Sequence, residues 1–249
     1  MPEVERHGGG WPEPARAGRP SSEHEDNGPY SAQPLLLWRE SLVAEFLAPR
    51  MGAGMTALEV GPGAGDWTER IIGSVQTLLV ADRRARTLEG IQQRFGHRPD
   101  LRVVQILNHR LIDVADGSVD LAYSLDFFPL VDWSVLDEWL GELSRVLRPG
   151  GHLVVHHAAT PRRLRTVSPR REQLRATRTS PSSRGRAGRQ ATGGASASFT
   201  DSGLVTTRQT SCWGPSGEFT VDKYRDVITV ARKPTANRRV PTGLADERG

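Results

Sequence analysis

An α/β fold with a doubly wound, mostly parallel sheet is what this sequence predicts, on three observations. From residue 57 onward, apolar runs of strand length alternate with helix-length amphipathic stretches. The first run, Ala57–Val60, leads directly into a loop with glycines at 61, 63 and 65 and then into a helix start at Asp66. The second run, Leu78–Ala81, ends in Asp82, 23 residues after Glu59. That is close to the ~20-residue interval at which α/β nucleotide folds place a carboxylate on a ribose.

The glycine loop narrows the ligand. Glycines let the backbone turn sharply and approach a ligand without a Cβ in the way. Asp66 and Glu69 stand three apart, as in a capping box, so a helix starts beneath the loop. Such a start attracts anionic or polar ligand groups. A dinucleotide fold wants G-x-G-x-x-G, whereas here the spacing is G-x-G-x-G and Asp66 takes the third slot. No Lys-Ser/Thr pair follows, which excludes a Walker phosphate loop. Taken alone, the loop would also suit an ordinary strand-to-helix turn with no ligand.

An acid two residues before the first glycine, as Glu59 is, resembles motif I of the class I S-adenosylmethionine (SAM) dependent methyltransferases. The run Leu143-x-x-Val146-Leu147-Arg148-Pro149-Gly150-Gly151-x-Leu153 is similar to the same family's helix-to-strand turn, and Asp120–Asp126 resembles its motif IV. The resemblance is strongest over 57–71, 116–126 and 143–156. It implies a Rossmann-like, seven-stranded sheet ending in an antiparallel hairpin, SAM as cofactor, and methyl transfer. It further implies that Gly61, Pro62, Gly63 and Gly65 pass under the methionine part of SAM, with Glu59 helping to place it.

The elements follow in order. Residues 1–32 are rich in Gly, Pro, Glu and Arg and cannot bury enough surface to offset their ordering entropy, so a disordered tail is expected. Residues 33–50 read as a helix, with Leu35, Trp38, Leu42 and Phe46 on one broad face for the sheet edge. A helix from Trp67 to about Val75 leads to the strand ending at Asp82. Two adjacent ribose hydroxyls are donors and an ionised carboxylate has two acceptor oxygens, which gives Asp82 its role. A helix over Ala85–Phe95 and a strand over Leu101–Ile106 come next. In the family an acid after this strand binds the adenine amino group; here Asn108 holds that place, twelve before Asp120, and His109 would offer adenine its backbone.

Asp116-Gly117 is a turn signal, and Val119–Tyr123 reads as the fourth strand, beside the first. Its end opens onto the switch-point crevice where doubly wound folds bind ligands, which puts Ser124 and Asp126 where cofactor and substrate meet. Asp126 could take a proton from a substrate hydroxyl, contact the SAM amino group, or cap the next helix. Residues 134–147 form an amphipathic helix with Leu136, Trp139, Leu140, Leu143 and Leu147 as its stripe. After the Pro-Gly-Gly turn, His152–His157 is the fifth strand. A neutral imidazole near pH 7 suits a general base; strand alternation sends His156 and His157 opposite ways, so only one faces the crevice. Histidines that are merely packed or hydrogen-bonded are the competing reading. No carboxylate spacing matches a metal site.

Residues 158–197 are an Arg-rich insertion or loop. Between 161 and 190, ten arginines against the single acid Glu172 make +9 of a net charge of +4, leaving a body of −5. A substrate lid, an RNA-binding arm and a weakly ordered loop all suit this composition. The lack of aromatics that stack on bases weighs against RNA readout. Strands over 204–213 and 224–232, with a turn at 214–218, form the terminal hairpin, and 234–249 is a polar tail. The domain is thus expected over 33–233. One cysteine, Cys212, rules out an internal disulfide. With no signal-peptide core and no membrane-length run, a cytoplasmic protein is expected. The function expected is O-methylation of a small-molecule acceptor, with Asp126, His156 or His157 as base; an RNA methyltransferase and a non-catalytic SAM-binding protein are the alternatives.

Overall fold

Period-2 alternation of buried side chains dictates the layering. The strands are β1 (Thr56–Val60), β2 (Thr77–Asp82), β3 (Leu101–Gln105), β4 (Val119–Ser124), β5 (Leu147–Ala158), β6 (Val205–Thr210), β7 (Cys212–Trp213), β8 (Phe219–Thr220) and β9 (Asp226–Arg232). The helices are α1 (Leu35–Leu42), α2 (Asp66–Ile71), α3 (Ala85–Phe95), α4 (Trp133–Val146) and α5 (Gly194–Asp201). The computed structural model describes residues 35–160, 194–221 and 225–235. The expected tail 1–32, most of the 158–197 segment, and 236–249 fall outside the described residues.

Among these, seven strands make one sheet in the order β3-β2-β1-β4-β5-β9-β6. β1 to β5 run parallel, and β9 is inserted antiparallel to both β5 and β6. This is the doubly wound, mostly parallel seven-stranded sheet with a terminal antiparallel pair that the sequence implies. Alternate residues of the central strands enter two cores. Ala57, Leu78, Val80, Leu121, Tyr123, Val154, Ile228 and Val230 pack on α1, α2 and α3. Leu58, Val60, Ala81, Ala122, Leu153, Val155 and Ala231 pack on α4 and Phe199 of α5. The same parity puts Glu59, His156 and Asp226 on the α1–α3 face, and Ser124 and His157 on the α4–α5 face.

Four boundaries differ from expectation, and at one of them β5 already begins at Leu147, so that the Pro149-Gly150-Gly151 run read as a turn lies within the strand. The helix after the glycine loop stops at Ile71 rather than near Val75. Gly73 has φ of +86° and its N–H is taken by Asp100 Oδ2 at 2.9 Å, so the helix cannot continue. The segment read as one strand over 204–213 breaks at Ser211 into β6 and β7. Thr210 Oγ1 donates to the Cys212 carbonyl at 2.6 Å and accepts from the Cys212 N–H at 3.2 Å, turning the backbone locally. β7 then pairs with β8 as a separate two-stranded ribbon. Finally, the N-terminal helix widens past Leu42 into a π-helical stretch, Val43–Leu47, and a 3₁₀ turn containing Pro49.

That ribbon locks α1 in place. Trp213 Nε1 donates to Ser41 Oγ at 3.0 Å and Trp38 Nε1 to the Thr220 carbonyl at 3.2 Å. The Trp38 and Trp213 rings lie 5.7 Å apart, and Trp38 meets Trp67 of α2 at 6.1 Å. Aromatic pairs at such separations add to their area burial. α1 is therefore held against the start of α2, one side of the ligand crevice.

Candidate functional site

The carboxyl ends of β1, β2, β3 and β4 converge where the strand order reverses between β1 and β4, which is where open α/β sheets bind ligands. A cavity of about 260 Å³ lies there. Gly61, Pro62, Gly63 and Ala64 form its floor; Asp82, Arg83, Arg84 and Thr87 form one wall; Ile106, Phe127 and Trp139 supply apolar surface; and Arg39, Asp66, Trp67, Asp126 and Leu130 close the opposite side.

The loop has to be glycine at three points for different reasons: Gly61 has φ of +77°, and a Cβ there would come within 2.9 Å of Phe127. Gly63 has φ of +56°, and a Cβ there would meet no atom within 4 Å. Its open side faces ligand space, a cradle that a side chain would fill. Gly65 has φ of +91° and caps α2, and its Cβ would come within 2.8 Å of Phe95 and 2.9 Å of Ile91. It is a packing residue, and it does not line the cavity. Gly65→Ala should cost roughly 2–4 kcal/mol, the left-handed penalty plus overpacking. Equilibrium urea unfolding checks this, and an unchanged midpoint would refute it.

Glu59 stands behind the loop and is buried. Its Oε2 accepts from Thr68 Oγ1 at 2.7 Å and from the Tyr123 hydroxyl at 3.2 Å, while Oε1 is buried with no partner. Burial pushes its pKa up to about 7, against the pull of the Thr68 and Tyr123 hydrogen bonds. A buried carboxylate oxygen without a donor is costly, and a positively charged or N–H-bearing ligand group would relieve it.

Asp82 is on the cavity wall. Its Oδ1 accepts the Arg84 N–H at 2.7 Å. Burial raises its pKa above the ordinary 3.8, with Arg84 and Arg83 opposing.

Asp126 has a left-handed backbone, φ +66°, which Asp tolerates better than most residues. Its Oδ2 accepts from Trp67 Nε1 at 3.2 Å and its Oδ1 faces His156 Nδ1 at 3.1 Å. The His156 ring is fully buried, and its Nε2 lies 3.6 Å from Oδ2 of Asp226, itself 2 % exposed. Burial works to lower the His156 pKa, but Asp126 and Asp226 together outweigh it and hold it above the ordinary 6.5. Sequence reasoning missed Asp226. An acid opening the otherwise apolar run Asp226–Ala231 was the available signal, but only the β5–β9 register, Ala158 opposite Asp226, brings it beside His156.

His157 points to the other face of the sheet. Its Nδ1 pairs with the Ala158 carbonyl and its Nε2 with Thr229 Oγ1, both at 2.8 Å, between Trp133 and Phe199. Burial depresses its pKa to about 4. Ser124 Oγ donates to the Val60 carbonyl at 2.8 Å, clamping β4 to β1 behind the cavity. Asn108 and His109, with φ of +49° and +59°, form a turn that lines a separate hollow with Glu138, Glu142 and Arg145. His109 Nδ1 pairs there with Glu138 at 2.7 Å. The structure thus brings Gly61, Pro62, Gly63, Asp82 and Asp126 to one cavity, with Glu59, Gly65, Ser124 and His156 behind it. Asn108, His109 and His157 stand apart. Arg39, Trp67, Ile106, Phe127 and Trp139 line the cavity without having been singled out; the two tryptophans and Phe127 were read only as helix and loop positions.

Among the described residues, no group of three or more His, Cys, Asp or Glu could hold a metal ion, and no helix is long and apolar enough to cross a membrane.

Residues 57–151 match a family model described as a methyltransferase domain. No curated protein matches the chain. In fold, the chain is similar to the N-methyltransferase NodS from Bradyrhizobium japonicum WM9 in complex with S-adenosyl-L-homocysteine. The TM-score is 0.52 at 19 % identity, over 80 % of this chain and 87 % of that one. A second NodS structure gives 0.50 at 20 %, over 80 % and 96 %. The [4+2]-cyclase SpnF gives 0.53 at 14 %, over 79 % and 80 %.

Proposed function

We propose that this chain, whose residues 57–151 match a methyltransferase-domain model, is a class I SAM-dependent methyltransferase that methylates a hydroxyl oxygen of a small-molecule acceptor. The residues present fit SAM: Gly63 leaves an open cradle, Glu59 Oε1 lacks a donor, and Asp82 offers acceptor oxygens on the cavity wall. SAM, when bound, supplies a methyl group on a positively charged sulfur. Asp82 takes the two ribose hydroxyls. The Gly61–Gly65 loop, with Glu59 behind it, takes the methionine part. The apolar wall of Ile106, Phe127 and Trp139 suits adenine. Asn108 and His109 shape the turn that follows Ile106, and Ser124 holds β4 against the loop-bearing β1.

What carries the acceptor reading is Asp126, a carboxylate on the cavity wall with a buried imidazole behind it. Methyl transfer to a hydroxyl requires a group to take the proton, and the remainder of the catalysis is alignment and exclusion of water. Asp126 is placed for that proton better than His157, whose ring nitrogens are both engaged on the far face of the sheet. The arginines on which an RNA acceptor would depend lie outside the described residues.

Incubating the protein with radiolabelled SAM and a lysate metabolite fraction, then isolating the labelled product, tests the reading. An O-methyl product supports it, and an N- or C-methyl product refutes it. Asp82→Ala should weaken SAM binding roughly 10- to 100-fold, the loss of hydrogen bonds to a charged acceptor. Calorimetry showing unchanged affinity would remove Asp82 from the ribose.

A further inference from the structure

We propose that His156 and Asp226 are a positioning pair behind Asp126, in which Asp226 orients His156 to receive, through Asp126, the proton that an acceptor hydroxyl gives up. This rests on the methyl-transfer reading above.

Three elements are needed to build the arrangement. Asp126 comes from the loop after β4, His156 from β5 and Asp226 from the first position of β9. In the β5–β9 register, Ile228 lies opposite His156 and Ala158 opposite Asp226, so Asp226 reaches His156 diagonally on the same face of the sheet. Both partners are buried, His156 at 0 % and Asp226 at 2 % exposure. Asp126 alone reaches the cavity, and its other oxygen is fixed by Trp67 Nε1 at 3.2 Å. The carboxylate at the cavity therefore has one neutral donor on one side and an ionisable ring on the other. A buried imidazole with a carboxylate near each ring nitrogen has no purely packing explanation. Burying an acid and a base side by side often costs more than an apolar replacement would.

The proton balance is simple. The acceptor oxygen forms its bond to the methyl carbon as that carbon's bond to sulfur breaks, with the electron pair left on sulfur. The O–H pair stays on the acceptor oxygen and the proton passes to Asp126, which hands a proton to Nδ1 of His156. Neutral His156 carries its own proton on Nε2, toward Asp226. One positive charge thus disappears at sulfur and one appears on the imidazole, between two carboxylates that favour it. A buried acid 3.6 Å from the ring that favours the histidine's charged form does, by its charge, part of what the acid does in a serine-protease triad.

Among the described residues, the groups that act on this titration are Asp126 from the β4 loop, Asp226 from β9, and His157 on the same strand, which burial keeps neutral near pH 7. Two arms test the proposal. In the first, the ring signals of the histidines are followed by NMR in the full chain without ligand, with His156 identified by its loss in His156→Gln. The expected midpoint lies above 6.5, and Asp226→Asn should lower it by about one unit or more, the effect of removing one nearby opposite charge. A midpoint at or below that of free histidine, or one that Asp226→Asn leaves in place, overturns the proposal. Should Asp226→Asn fail to fold, Asp126→Asn, at a partly exposed site, must produce the same downward shift. In the second arm, transfer of labelled methyl into the lysate metabolite fraction is followed against pH. Activity should be lost on the acid side at the NMR midpoint and move with it in Asp226→Asn; a rate that is flat through that midpoint overturns the relay. Absence of transfer at every pH would instead count against methyl transfer itself, and the ligand-free NMR arm keeps the two failures apart.

Discussion

Asp126→Asn should lower methyl transfer roughly 10²- to 10⁴-fold, the range a positioned general base contributes, while the domain stays folded. Asparagine is the informative replacement. It tolerates the left-handed backbone at φ +66° as well as aspartate does. Its amide oxygen still accepts from Trp67 Nε1, and its amide nitrogen can donate to His156 Nδ1. What it cannot do is take a proton. Thermal melting should therefore change little while product formation from labelled SAM collapses. Uptake of S-adenosylhomocysteine, measured alongside, separates loss of chemistry from loss of cofactor. A variant that keeps most of its activity would leave Asp126 as a binding or capping residue only.

The second large effect concerns Glu59 and the pH dependence of stability. Burial raises its pKa from an ordinary 4.5 to about 7 in the folded chain. Between those two values the folded state holds a proton that the unfolded state has released. Stability then falls as pH rises through that window, and levels off above it. The shift corresponds to roughly 3 kcal/mol between pH 4 and pH 8. His157 acts in the opposite sense. Its folded pKa is depressed to about 4, so it adds stability as pH rises from there toward the ordinary histidine value. The two slopes overlap and partly cancel in the native protein. The difference between native protein and Glu59→Gln isolates the carboxylate, because glutamine still accepts from Thr68 and Tyr123. Urea unfolding at pH 5 and pH 8 should show the variant gaining on the native protein at the higher pH. Equal differences at both would show that Glu59 does not titrate there.

Much of this site is local in the chain, and the local part is what the sequence makes readable. Glu59, the glycine loop and Asp82 each sit at the end of an apolar run, where a strand must stop and a turn must begin. Counting along the chain is enough to put them at one sheet edge. Asp126 is legible for the same reason, as the residue just past a strand known to lie beside β1. The parts that resist reading depend on long-range pairing. Asp226 meets His156 only through an antiparallel register between strands some 70 positions apart, and no short-range pattern encodes that offset. Asn108 and His109 show the converse. The family resemblance pointed them at adenine, whereas two successive left-handed residues fold the chain back into its own small turn, Leu107 bridging Arg110. Element boundaries failed where a side chain took over a backbone bond, as Asp100 does at Gly73 and Thr210 does at Cys212. Such bonds are decided by tertiary placement.

The insertion of β9 between β5 and β6 has a consequence for biosynthesis. The residues proposed to hold the cofactor, from Glu59 to Trp139, all precede β5 and leave the ribosome first. Asp226 comes with β9, the last strand among the described residues, which must slot between two neighbours made before it. A chain lacking β9 would keep those cofactor residues but lose the acid behind the His156 ring, so the proposed proton relay depends on a strand made after the rest of the sheet.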